Sequence, residues 1–191
     1  SLNFNIYNDI GIMFIQTENT PNPDSLKFLP GKKVSKVGPC EILSKEDTKI
    51  EILRNILSID GVKGIFLGED FLSVNKTSEK NWDDLKQIII SFLNEHYSKG
   101  VDSILDTADN KNKNVSLNEI EQQIIKILET KIRPAVARDG GDIKFKEFKN
   151  GVVKVQLQGS CSGCPSSTMT LKRGVENLLS HYVPEVKEVL A

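Results

Sequence analysis

The sequence predicts an α+β protein built as two small domains, and three observations predict it. Short alternating apolar runs bounded by turn residues, and longer runs at helical spacing, occur in both halves of the chain. The stretch 99–115 contains the polar run Lys111-Asn112-Lys113-Asn114 and little periodic apolar content, which marks a linker. A chain of 191 residues, 38% hydrophobic and 27% charged, suits two folded units of ordinary size. The domains are accordingly placed at 13–98 and 116–191.

In the N-terminal domain, Ile12, Phe14 and the following Gln-Thr-Glu predict a first strand. Thr20-Pro21-Asn22-Pro23-Asp24 predicts a rigid turn, because each proline forces the preceding residue out of helical backbone. Leu26 and Phe28 predict a second short strand ending by Gly31. Ile52, Leu53, Ile56 and Leu57 recur at helical spacing, and Gly61 stops that helix. The runs 62–67 and 71–74 flank Gly68-Glu69-Asp70 as a hairpin. Trp82, Leu85, Ile88, Ile89 and Phe92 mark a second amphipathic helix reaching about His96, with Trp82 and Phe92 in the core. No catalytic constellation stands out here.

The C-terminal domain predicts the order α-β-β-loop-α-β. Ser116 and Glu119 stand three apart before an apolar period, the pattern of a capping box. The helix is expected to run to about Ile132, with Pro134 near its end. Arg138-Asp139-Gly140-Gly141-Asp142 is a turn. Strands 143–148 and 152–157 follow, joined at Asn150-Gly151. A helix from about Pro165 to His181 is expected to bury Met169, Val175, Leu178 and Leu179, and residues 186–190 supply a last strand.

Charge and hydropathy exclude several functions. The formal net charge of −1 gives no basic surface for nucleic acid or for an anionic membrane. No apolar run approaches the ~18 residues of a membrane span. Ser1–Gly11 carries no positive charge and no long apolar core, so neither a signal peptide nor a transit peptide is expected. Met13 reads as the natural start, with residues 1–12 an upstream extension. The expected compartment is the bacterial cytoplasm, with the mitochondrial matrix as alternative.

The chemistry concentrates in Gly159-Ser160-Cys161-Ser162-Gly163-Cys164-Pro165. Three cysteines, Cys40, Cys161 and Cys164, make a poor disulfide framework and point to free thiols in a reducing compartment. Pro165 suits the first position of a helix, so the helix's free N–H groups and positive dipole end face the thiol pair. Such a place is expected to lower the thiol pKa and favour thiolate, the metal-binding form. Gly159 and Gly163 let backbone approach a bulky ligand, and the loop is expected to be exposed. A four-iron cluster or a structural zinc takes four thiolates, and one chain offers two here. A two-fold dimer in which each copy gives Cys161 and Cys164 completes the set. Cys40 is isolated and receives no role. His96 and His181, near helix ends, are expected to be solvated.

Two runs carry a family resemblance. Arg133-Pro134, Asp139-Gly140-Gly141-Asp142 and Leu157 through Ser167 resemble the C-terminal domain of the NifU and Nfu proteins. Phe14 through Phe28 resembles the domain that precedes it in mitochondrial and related bacterial Nfu proteins. The resemblance covers nearly all of residues 13–191. It implies a non-enzymatic scaffold or carrier whose Cys161 and Cys164 hold a [4Fe-4S] cluster between two subunits. It further implies that clusters arrive from upstream scaffold or carrier proteins and leave for apo-enzymes such as lipoyl synthase. The competing readings are a thioredoxin-like dithiol oxidoreductase using Cys161 as nucleophile, and a zinc-stapled structural dimer.

Overall fold

The computed structural model describes residues 14–107, 116–163 and 165–191. The expectations for residues 1–13, for 108–115 and for Cys164 fall outside the described residues. The chain divides into two compact units, residues 1–108 and 109–191.

The first unit is a five-stranded antiparallel sheet with two helices. Its elements are β1 (Gln16–Asn19), β2 (Ser25–Leu29), β3 (Cys40–Ile42), α1 (Glu51–Leu57), β4 (Val62–Leu67), β5 (Leu72–Lys76) and α2 (Trp82–Ser98), in sheet order β1-β2-β5-β4-β3. The central pair aligns Leu26 with Val74 and Phe28 with Leu72. These side chains form one core with Leu53 and Ile56 of α1 and with Leu85, Ile89 and Leu93 of α2. The strand β3 has no precedent in the sequence reading: three residues of an edge strand carry too short a period to register. Trp82 and Phe92 pack against this core but are only partly buried.

The proline-rich turn is held by named bonds. Thr20 Oγ1 donates to the carbonyls of Asn22 and Ser25 at 2.8 and 2.9 Å, and Asn22 Oδ1 accepts from Asp24 N–H at 2.9 Å. Trp82 Nε1 donates to Pro23 O at 3.0 Å, which ties the turn to the start of α2.

The stretch expected to be a linker begins with residues that bind back onto this unit. Ile104 is buried, and the N–H groups of Ile104 and Leu105 both donate to Val34 O at 2.9 Å. Lys36 N–H returns a bond to Leu105 O, and His96 Nε2 lies 2.8 Å from Ser103 O. His96 is therefore engaged, not merely solvated. The polar sequence around Ile104 and Leu105 hid two apolar anchors too few to show a period.

The second unit contains α3 (Glu119–Ile127), α4 (Arg133–Arg138), β6 (Gly141–Lys149), β7 (Val152–Gly159), α5 (Pro165–Tyr182) and β8 (Glu188–Leu190). The sheet runs β6-β7-β8, antiparallel then parallel. Asn150 (φ 52°) and Gly151 (φ 78°) both take left-handed backbone, the requirement of the tight hairpin turn that matches strand twist. Ile124, Leu128, Ile143, Val153, Val175, Leu179 and Val189 lie together in one core.

Three expectations are corrected here. The cap of α3 is Asn118, whose Oδ1 accepts from Glu121 N–H at 2.8 Å, so the helix starts at Glu119 and Ser116 does not cap it. The helical path does not end before Pro134. It passes through a π turn at Leu128–Ile132, where Arg133 N–H donates to Leu128 O, and continues as α4 with Pro134 in its first turn. Pro134 has no N–H for the preceding turn, and the wider turn accommodates that loss. Met169 is 60% exposed, whereas Val175 and Leu179 are buried as expected.

Candidate metal centre

The strand β7 delivers the first cysteine to its place. It ends at Gly159, whose φ of 63° turns the chain out of the sheet, and Gly163 at φ 77° turns it again before α5. Ser162 closes the loop between them: its N–H and Oγ both bond Gly159 O, at 3.2 and 2.9 Å. Thr168 Oγ1 on α5 donates to Cys161 O at 3.2 Å, which fixes the cysteine's own backbone.

Cys161 is not exposed. It is 8% accessible and is counted among the core side chains of the second unit. Burial pushes its thiol up to about 11; the Ser160 hydroxyl acts in the opposite direction, and the Asp139 and Asp142 carboxylates add to the rise. The sequence reading expected the reverse, a thiol lowered by the helix N-terminus in an open loop. Desolvation is the largest cause of that rise. A metal arriving here releases the thiol proton as it binds.

The turn Asp139–Asp142 backs the cysteine. Ser160 N–H donates to Gly140 O at 3.2 Å, and Ser160 Oγ donates to Asp139 O. Its two glycines serve different purposes. Gly140 takes φ 82°, a conformation that favours glycine. Gly141 instead gives up space: a Cβ there would collide with Cys161 Sγ and lie 2.9 Å from Gln158 O. The sulfur thus rests on bare backbone.

The turn is itself pinned from behind. Arg133 Nε and Nη2 donate to the two oxygens of Asp142 at 2.8 and 2.9 Å, a parallel bidentate pair. The Asp142 side chain is 4% accessible and that of Arg133 is 27%. The pair raises the guanidinium pKa further, chiefly through the hydrogen bond to Asp142. The sequence marks Asp142 as part of a turn, a connector with a role in shaping the cluster loop as the alternative, and gives Arg133 no role beyond the family pattern. An arginine nine positions before a turn aspartate carries no local signal of pairing.

The remaining candidates fall elsewhere. Cys164 lies outside the described residues. Cys40 lies in β3 of the first unit, partly buried. His181 is exposed, its ring edge-on to Tyr182. Among the described residues, no three His, Cys, Asp or Glu side chains gather to hold a metal ion.

Comparison with known proteins follows this division of the chain. The profile described as "Scaffold protein Nfu/NifU N terminal" matches residues 15–100, and that described as "NifU-like domain" matches residues 124–190. A chain joining these two domains belongs to the Nfu/NifU family. Its relatives include "NifU-like protein 4, mitochondrial" of Arabidopsis thaliana, 45% identical over 184 residues, covering 93% of this chain and 65% of that protein. "NifU-like protein 5, mitochondrial" of the same plant is 42% identical, with 99% and 71% covered. The human protein "NFU1 iron-sulfur cluster scaffold homolog, mitochondrial" is 39% identical, with 96% and 73% covered. The chain thus spans about two thirds of the length of the first of these relatives.

Proposed function

We propose that this chain is an iron–sulfur cluster scaffold and carrier. Cys161 and Cys164 supply thiolates to a [4Fe-4S] cluster shared between two copies, and the cluster passes from there to apo-proteins. In this reading residues 13–98 form the Nfu-type N-terminal domain, 116–191 the cluster-bearing domain, and 99–115 joins them.

The observation that carries the proposal is the cradle at Cys161. Gly141 keeps the space against Sγ clear, and the loop that begins at the left-handed Gly159 holds Cys161 where β7 ends. A cluster takes four thiolates and the loop holds two, which supports completion of the set by a second copy. Ligands divided between two chains can be replaced stepwise by those of an acceptor, which favours transfer over storage. The human relative's name, an iron–sulfur cluster scaffold homologue, supports the same cargo. The relatives' mitochondrial names favour the mitochondrial matrix and give no support to the bacterial cytoplasm expected from the sequence. Upstream carriers as donors, and lipoyl synthase among the recipients, complete the proposed pathway.

The test is anaerobic reconstitution with iron and sulfide, followed by metal and sulfide analysis and native mass. A brown dimer with about four irons per two chains is expected. A colourless monomer, or zinc alone, overturns the proposal.

A further inference from the structure

We infer that the Arg133–Asp142 pair is a positioning device for the cluster thiolate: it holds the Asp139–Asp142 turn under Cys161 and so sets the direction in which the sulfur faces. The inference rests on Cys161 being a cluster ligand, as proposed above.

The contacts form a continuous path. The π turn at Leu128–Ile132 brings Arg133 to the place where its fork meets both oxygens of Asp142. Asp142 is nearly inaccessible and is the second residue of β6, immediately after Gly141. Gly141 pairs across the sheet with Gly159 and faces Cys161 Sγ. From the other side, the Ser160 hydroxyl and N–H bond the carbonyls of Asp139 and Gly140. The cysteine's neighbour and the turn are therefore one bonded unit, and Arg133 with Asp142 is a charge pair that joins that unit to the helical layer. If the guanidinium is lost, a buried carboxylate is left without its partner, and the turn must move toward water to solvate it. That movement withdraws the floor beneath the sulfur. A pair that served general stability alone would have no such directed effect.

The experiment uses the full-length chain and reads Cys161 itself. Arg133→Met removes the charge and keeps an apolar stem; the double variant Arg133→Met/Asp142→Asn removes the stranded charge as well. Ile124→Val, in the same core but on α3 and outside the bonded path, serves as a control for loss of stability. Iodoacetamide labelling of the apo-protein, resolved by peptide mass spectrometry, gives the alkylation rate of Cys161 alone. Chelator-driven decay of the visible absorption gives cluster lifetime. Arg133→Met is expected to speed alkylation about tenfold through local opening and to shorten cluster lifetime, with the double variant partly restored and Ile124→Val close to wild type in both. If Arg133→Met does not fold, Arg133→Lys decides: it keeps the charge but not the parallel pair, and a several-fold effect in the same direction is expected. Wild-type alkylation and lifetime in the folded variant overturn the inference. Cluster retained by Cys161→Ser overturns instead the ligand assignment on which it rests, and the labelling result still stands apart from it.

Discussion

Gly141 and Cys161 share one space: the sulfur of the cysteine sits where a side chain at position 141 would begin. The neighbours on the other sides of that position are backbone, Gln158 O at 2.9 Å and Cys161 N at 3.1 Å, which cannot swing aside. Gly141→Ala is therefore expected to destabilise the second unit by ~1–3 kcal/mol, as overpacked cores do. Thermal unfolding checks the stability, and iron content per chain after reconstitution checks the site. An alanine variant with wild-type values of both would show that the sulfur is free to relocate.

Replacing either thiol removes half of one copy's donors. Cys161→Ser and Cys164→Ser are each expected to abolish cluster binding and, with it, cluster-dependent dimerisation. Sedimentation of the reconstituted variants checks this. Cys40→Ser is expected to leave iron content unchanged, because that residue lies in the other unit, on a three-residue edge strand.

The start of α3 separates two candidate caps. Asn118→Ala is expected to lower stability by ~1 kcal/mol, and Ser116→Ala by less than ~0.5 kcal/mol. Chemical denaturation of the two variants checks it, and the reverse order would restore the capping box read from the sequence.

The segment following α2 contributes to the first unit. Ile104→Ala empties a buried site that is 6% accessible, and a loss of ~2–4 kcal/mol is expected. Amide exchange at Lys36, Ile104 and Leu105 should rise with it, since the Lys36 N–H is held by Leu105 O and the other two by Val34 O. An unchanged exchange pattern would mark 102–106 as a loose tether.

Tyr97 gives the first unit an alkaline limit. Burial pushes its phenol well above the ordinary 10.0, and its hydroxyl donates to Lys33 O at 2.7 Å. A folded value above the unfolded one means that the native state keeps its proton while the unfolded state loses it. Stability is thus complete below pH 10 and falls as pH rises beyond it. Tyr97→Phe should lose ~1 kcal/mol at neutral pH, from the missing hydrogen bond, and unfold with a shallower alkaline slope. Denaturant midpoints at pH 8 and at about pH 11 measure both effects.

Much of the fold was legible because its signals are local. Asn150-Gly151 between alternating strands specified the hairpin, and Ile52, Leu53 and Ile56 specified the buried face of α1. The site was half legible. Spacing and Pro165 single out the cysteine pair as the candidate, while the flanking serines and glycines suggest an open loop where Cys161 is in fact buried. What buries Cys161 is the fit of Gly141 from another element, which no window around residue 161 contains. Arg133 and Asp142 escaped for the same reason, because a long-range ion pair leaves no period. The π turn escaped because a proline four residues beyond Thr130 ordinarily signals a stop, and only the packed layer shows that the helix is carried past it.

The turn at Asn150-Gly151 does more than reverse the chain. Gly151 O accepts from the N–H groups of both Lys187 and Glu188, at 2.7 and 3.2 Å, and β8 then aligns alongside Val152–Lys154. The dock for the final strand is thus absent until the reversal has formed, which imposes an order on assembly: nearby residues first, the distant closure last. Pulse-labelling during refolding should find the β7 amides that face β6 shielded before that of Val189, which is held by Glu176 Oε2.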